Sequence, residues 1–231
     1  MRMSPAKSNP SRPNPATVPA AVVSRLSMYL RELQHLVSDG QETTSSSELG
    51  RRLGFTDAQV RKDLAHFGQF GHPGVGYRSG ELIKAIRKIL GTDRQWQVAL
   101  VGVGNLGRAL LGYRGFSRQG FRIVAAFDTD PAKIGTQLEG IRIFDVAQLS
   151  EVVAKQRVQL GLVAVQADSA QRVADQLVAA GVDGIVNFAP VTLSVPAGIC
   201  KVGVDLAWEL EQVTFAVVNK ALAAADKDKT E

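Results

Sequence analysis

The chain has one cysteine, Cys200, and three histidines, His35, His66 and His72, in 231 residues. A lone thiol excludes an internal disulfide, and so few soft ligands exclude a Cys/His metal cluster. Cys200 sits in the apolar stretch 199–204 and reads as a small buried hydrophobe. No apolar run approaches the ~18 residues needed to span a bilayer. The N-terminus has no apolar signal core, so the protein is expected in the cytoplasm with no membrane partner. No Ser/His/Asp set and no converging pair of acids stands out, which disfavours hydrolytic and general acid/base enzymes.

What is present is unevenly charged. Residues 1–17 carry three basic side chains and no acid, residues 18–95 carry eleven basic and eight acidic, and residues 96–231 carry thirteen basic and fourteen acidic. The excess positive charge therefore lies in the first 95 residues, which points to a polyanion partner for that half. Residues 1–17, rich in Pro, Ser and Asn, read as a disordered basic tail.

Residues 18–91 read as a helical DNA-binding domain. A first helix, about 19–38, has an apolar stripe at Val22, Leu26, Leu30, Leu33 and Val37. A polar stretch, 41–45, leads to a short helix at about 47–53, which Gly54 stops. Thr56 is a good N-cap for a third helix over 57–67, with Val60, Leu64 and Phe67 inward. Its other face then shows Gln59, Lys62 and His66, with Arg61 to one side. Two helices joined by a glycine turn, the second with a cationic polar face, describe a helix-turn-helix. Residues 70–78 suggest a wing, and a fourth helix over 79–90 turns Leu82, Ile83, Ile86 and Leu90 inward. The candidate DNA contacts are Ser46, Gln59, Arg61, Lys62, His66, Tyr77 and Arg78.

From residue 96 the pattern changes. An apolar strand, Val98 to Val101, runs into Gly102-Val103-Gly104-Asn105-Leu106-Gly107, and a helical pattern follows. In that strand–turn–helix context the run is a dinucleotide fingerprint. Gly102 supplies the tight turn, Gly104 lets the backbone approach a pyrophosphate, and Gly107 lets helix and strand pack closely. A second strand, 122–127, ends at Asp128, where a carboxylate accepts from ribose hydroxyls and repels a 2′-phosphate, favouring NAD(H). Helix and strand alternate to residue 205, with strands at 141–144, 160–165, 184–188 and 200–204. The expected fold class is α/β, a parallel doubly wound Rossmann sheet over 96–205. The last segment, 206–222, is apolar on two sides, with Leu206, Leu210, Val213 and Val217 on one and Trp208, Phe215 and Leu222 on the other. Such a helix needs cover on both faces, as exchange with a second copy would give. A cofactor with no catalytic group beside it is better read as an effector.

Together these features resemble the Rex family of bacterial redox-sensing transcriptional repressors. The resemblance rests on residues 24–26 and 29–31, Gln59 to Leu64, residues 67–68, Gly74 to Tyr77 and Gly102 to Gly107. Tyr113, Phe127-Asp128, Lys133-Ile134-Gly135 and Asn187 to Pro190 complete it. Residues 165–167 depart from it, since relatives often carry a proline there. The resemblance implies a winged helix-turn-helix followed by a Rossmann domain, in a homodimer with exchanged C-terminal helices. It implies that NADH and NAD+ compete for one site, with Lys133 and Tyr113 among the contacts, and that NADH releases double-stranded operator DNA. It also implies a switch in which Asp205 changes partner between Arg31 and Tyr113. Two other readings stay open on the residues alone: a small NAD-dependent dehydrogenase, and a nucleotide- or coenzyme A-binding scaffold.

Overall fold

The first helix, α1 (Ala20–Ser38), shows how this chain builds its N-terminal unit. Val22, Leu26, Tyr29, Leu30, Leu33 and Leu36 are buried along it, at helical spacing. The stripe ends on Leu36, whereas Val37, expected inward, is 45% exposed. After Leu33 both the i+3 and i+4 positions border the seam, and packing takes the i+3 residue. The computed structural model describes residues 18–71 and 76–228, with side chains as far as residue 220. The expected basic tail, 1–17, and the tip of the expected wing, 72–75, lie outside the described residues. The chain divides into two units between Arg94 and Gln95.

In the first unit α1 is followed by β1 (Thr43–Thr44), α2 (Ser46–Leu53), α3 (Asp57–Ala65), β2 (Tyr77–Arg78) and α4 (Ser79–Leu90). Ser45 accepts the Glu48 N–H at 3.1 Å and Thr56 accepts the Gln59 N–H at 3.1 Å, so both α2 and α3 start on hydroxyl caps. Gly54 ends α2 at φ 75°, a left-handed conformation that turns the chain into α3. β1 pairs antiparallel with β2, Thr44 opposite Tyr77. This strand was hidden in the polar stretch 41–45, because its pairing partner is more than thirty residues away. Leu49, Val60, Leu64, Leu82 and Ile86 join the α1 stripe in one core, each large aliphatic side chain contributing about 1.5–3 kcal/mol on burial.

The second unit runs β3 (Trp96–Val101), α5 (Asn105–Gly112), α6 (Gly115–Arg118), β4 (Phe121–Asp128), β5 (Gln137–Leu138), β6 (Ile141–Asp145), a 3-10 turn (Val146–Gln148), α7 (Leu149–Gln156), β7 (Leu160–Val163), α8 (Ala167–Ala179), β8 (Gly184–Asn187), β9 (Cys200–Gly203) and α9 (Leu206–Asp228). The sheet order is β5-β6-β4-β3-β7-β8-β9, parallel except for the antiparallel pair β5–β6. From β3 the chain builds outward on one side through β4 and β6, then crosses to β7 on the other. The C-terminal ends of β3 and β7 are thus the switch point of a doubly wound sheet, where such folds bind ligands. Apolar clusters cover both sheet faces, which is why β3 reads as a continuous apolar run.

Two terminal elements depart from that burial. Cys200, expected inside, is exposed, because β9 is the edge strand and all four of its residues are open. Along α9, Leu206, Trp208, Leu210, Val213, Phe215 and Val217 are 59–72% exposed. The Leu222 side chain, expected on the second apolar face, lies outside the described ones. Among the described residues no helix is long and apolar enough to cross a membrane.

Candidate dinucleotide cleft and DNA-facing helix

At the switch point lies a cleft of about 750 Å³, lined by Gly102, Gly104, Asn105, Leu106, Asp128, Thr129, Lys133 and, from α8 and the turn before it, Gln166, Ser169 and Arg172. Gly102 has φ +96°, and a Cβ there would strike the Ala164 carbonyl that follows β7. A Cβ on Gly107 would strike the Gly102 carbonyl oxygen. Both glycines are therefore fixed by packing within the protein. Gly104 differs, because a Cβ added there meets nothing within 4 Å and would project into open space. The start of α5, with Gly104 as its N-cap, leaves unpaired N–H groups and the positive end of the helix dipole beside that space.

Asp128 lines the same cleft beside the glycine turn. Its Oδ2 accepts the Val103 N–H at 2.8 Å and Lys133 Nζ at 3.2 Å, and its Oδ1 accepts the Asp130 N–H at 2.9 Å. Burial raises the Asp128 carboxyl, yet these donors outweigh it and hold the group below the usual carboxylate range. An ionised acceptor at the end of the second Rossmann strand fits ribose hydroxyls, and free N–H groups beside Gly104 fit a pyrophosphate, so the residues present suit NAD(H).

The expected cofactor residues separate on this geometry. Gly102, Gly104, Asn105, Leu106, Asp128 and Lys133 line the cleft, while Val103 turns its side chain into the core and donates its N–H to Asp128. Gly107 is buried beneath the turn. Tyr113 does not join them: it caps the far end of α5, about 12 Å along the helix axis by the 1.5 Å rise per residue. It is 56% exposed, its ring folded over Gly115 and edge-on to Phe116 at 5.0 Å. Gln166, Ser169 and Arg172 were missed, although their helix follows the strand across the switch point from β3, where the fold places ligand contacts.

In the first unit, Arg61, Lys62, His66 and Arg78 are exposed, as expected of DNA contacts. Arg61 Nη1 donates to Ser46 Oγ at 3.1 Å and pairs with Asp57 at 2.8 Å. Two expected contacts are corrected. Ser46 is buried at 9% exposure and serves as an acceptor holding Arg61. Tyr77 is buried at 8% exposure, because of the two β2 residues it is the one that faces the helical core, which its ring completes. The residue that sequence reasoning missed here is Asp63, 1% exposed and bonded by Arg25, Tyr29 and Gln59.

The proposed switch residues fall in different settings. Arg31 is exposed on α1. Asp205 Oδ1 accepts the Ala207 N–H at 2.9 Å and the Trp208 N–H at 3.4 Å, so it caps α9. It lines a hollow of about 380 Å³ with Asn187, Lys201 and Trp208. Asn187 is spent on its own turn, donating to the Ala189 and Val191 carbonyls and accepting the Ala189 N–H.

Comparison with known proteins decides between the readings left open above. Residues 17–65 match a family model described as "Putative DNA-binding protein N-terminus", and residues 93–191 one described as "CoA binding domain". The redox-sensing transcriptional repressor Rex of Pelotomaculum thermopropionicum is 46% identical over 203 residues, which is 88% of this chain and 95% of that protein. Rex of Carboxydothermus hydrogenoformans is 48% identical over 200 residues, 87% of this chain and 96% of that one. The chain belongs to the Rex family. Rex proteins are transcriptional repressors, regulators rather than enzymes, which removes the dehydrogenase reading. Among solved structures, the Rex-family repressor RSP in complex with β-NAD+ and operator DNA superposes with a TM-score of 0.84 at 34% identity, covering 93% of this chain and 99% of RSP. RSP in complex with β-NADH gives a TM-score of 0.82 at 33% identity, covering 90% and 98%.

Proposed function

We propose that this Rex protein represses transcription as a homodimer on operator DNA and lets go when its switch-point cleft takes NADH in place of NAD+. The observation that carries the reading is the pairing of a glycine turn open at Gly104 with an ionised Asp128 bonded to that turn. The Gly104 turn and the start of α5 hold a pyrophosphate through backbone N–H groups, and Asp128 accepts from the adenosine ribose. The Asp130 and Val103 N–H groups, with Lys133, keep Asp128 ionised and in place. RSP, alike over nearly the whole chain, binds NAD+ together with operator DNA in one complex and NADH in another, which supports the same two effectors here.

Gln59, Arg61, Lys62, His66 and Arg78 are the side chains we assign to DNA, in a winged-helix domain over residues 18–91. The Rossmann domain is 96–205, and residues 206–222 form the dimerisation helix. The exposed apolar faces of α9 call for a second copy to cover them. Asp205 would pair with Arg31 or Tyr113 according to which effector is held. The cytoplasm, where DNA and both nucleotides occur, is the proposed location. Operator affinity titrated with NADH at fixed NAD+ tests the reading: affinity should fall as NADH rises, and an affinity independent of NADH would overturn it.

A further inference from the structure

The four acceptor sites of the Asp63 carboxylate are all occupied. Oδ1 accepts Arg25 Nη2 at 2.8 Å and Gln59 Nε2 at 2.7 Å, and Oδ2 accepts Arg25 Nε at 2.5 Å and the Tyr29 hydroxyl at 2.7 Å. Three of those bonds tie α3 to α1 and hold the carboxylate still. The fourth acts outward, on Gln59, a partly exposed side chain in the first turn of α3. The first turn of a recognition helix is the part that meets base edges in helix-turn-helix proteins.

An amide side chain can turn either its oxygen or its nitrogen toward a neighbour, and usually only the surroundings decide which. Here the neighbour decides. An ionised carboxylate only accepts, so it can face only the nitrogen of Gln59. Asp63 stays ionised because the hydrogen bonds from Arg25, Tyr29 and Gln59 outweigh the burial that raises it. Rotating the amide would set two oxygens against each other. Among the described residues nothing donates to Gln59 Oε1. The side chain thus presents one acceptor, Oε1, and its remaining N–H donor, in a fixed order.

We propose that Asp63 is a positioning residue for DNA reading, fixing the Gln59 amide so that it selects adenine in the major groove. Adenine carries the complementary pair on its major-groove edge, an N6 donor beside an N7 acceptor. Guanine offers two acceptors there, and the Gln59 oxygen would face one of them unpaired. Cytosine satisfies the oxygen alone. This rests on the assignment of α3 to DNA, and the test separates the two.

The experiment selects binding sites from a random double-stranded oligonucleotide library with the full-length protein, comparing wild type, Gln59→Ala and Asp63→Asn. Wild type should return a motif with one adenine in each half-site that Gln59→Ala no longer selects, while the other positions persist. The preference for adenine at that position should fall roughly ten- to a hundredfold, the worth of one bidentate contact. Asp63→Asn should lose the same single position, since an asparagine can donate as well as accept and lets the Gln59 amide turn. Far-UV circular dichroism and melting confirm that each variant is folded. If Asp63→Asn proves unfolded, Gln59→Ala, which leaves the three bonds from Arg25 and Tyr29 to Asp63 in place, still decides the base read. A motif that Gln59→Ala weakens evenly at every position, or a lost position that is not adenine, overturns the inference and leaves the repressor reading intact. A wild-type protein that returns no motif overturns the DNA assignment itself.

Discussion

Asp128 Oδ2 accepts the Val103 N–H at 2.8 Å, so the carboxylate at the end of β4 is joined directly to the glycine turn that follows β3. The same oxygen lies 3.2 Å from Lys133 Nζ, which also reaches Asp130 at 3.4 Å. Asp128→Ala should therefore weaken NADH by tenfold or more, because charge-assisted hydrogen bonds contribute about 1.5–3 kcal/mol each. It should also free Lys133 to meet a 2′-phosphate. Calorimetric titration with NADH and NADPH should show the gap between them narrowing, and Lys133→Ala on top of Asp128→Ala should reopen it. Normal NADH binding by Asp128→Ala would remove the carboxylate from the site.

Two glycines of one fingerprint should behave oppositely. Gly104→Val adds its branches in open space, so the protein should fold and melt like wild type. The valine then stands where the pyrophosphate must approach, so operator binding should persist but ignore NADH. Gly107→Val forces a side chain against the Gly102 carbonyl oxygen inside the packed turn, and should lower stability by about 1–3 kcal/mol as overpacking does. Melting curves alongside NADH titrations distinguish the two, and equal melting points would mean that Gly107 has more room than its packing suggests.

The glycine fingerprint was legible because its requirements are local: a strand, a turn and a helix that succeed one another within a dozen residues. Asp63 was not, because Arg25, its main partner, lies 38 residues earlier and no spacing rule links them. Position 63 does fall beside buried Leu64 and three residues after Val60, so a charge there needed a partner. Its identity came only with the packing of α1 on α3. Cys200 misled for the opposite reason. Its neighbours are apolar, but the strand they form lies at the sheet edge, and edge position is a property of topology rather than composition. Tyr77 and Ser46 show a third limit, since a short polar or aromatic stretch does not reveal which of its side chains turn inward.

Acid should weaken the N-terminal unit through Asp63. Its carboxyl is held below the ordinary value, near 3.9 in an unfolded chain, so its stabilising contribution is fully present above that value. The contribution is lost as pH falls through the lower folded value. Asp63→Asn should cost about 1–3 kcal/mol at neutral pH, with Arg25 and Tyr29 left short of an acceptor. The difference between wild type and variant should shrink below about pH 4. Denaturant unfolding of both proteins from pH 7 to pH 3 measures it, and a difference that does not change with pH would mean that the carboxylate charge adds nothing.

Leu210, Val213, Phe215 and Val217 are each at least 60% exposed, and they place apolar surface on two sides of α9. If a second copy covers them, Leu210→Glu with Phe215→Glu should convert a dimer into monomers, because two buried charges would face apolar neighbours. Sedimentation equilibrium reads the mass directly. A doubly substituted chain that still sediments as a dimer would place the interface elsewhere.

Asp205 needs a substitution that separates two roles. Its Oδ1 accepts N–H groups of Ala207 and Trp208, so the residue caps α9 whatever else it does. Asp205→Ala would remove the cap, at about 0.5–2 kcal/mol, as well as the charge. Asp205→Asn keeps the cap, since asparagine is an equally good N-cap, and removes only the charge. If the carboxylate exchanges between Arg31 and Tyr113, an amide cannot form the same charge-assisted bond to either. Coupling between two ligands is typically 1–3 kcal/mol, a factor of about 5–150 in affinity. Asp205→Asn should therefore bind NADH like wild type, remain dimeric, and lose most of the NADH-dependent drop in operator affinity. The measurement is operator affinity with and without saturating NADH for both proteins. A wild-type ratio in Asp205→Asn, with a reduced ratio only in Asp205→Ala, would make Asp205 a helix cap with no part in the switch.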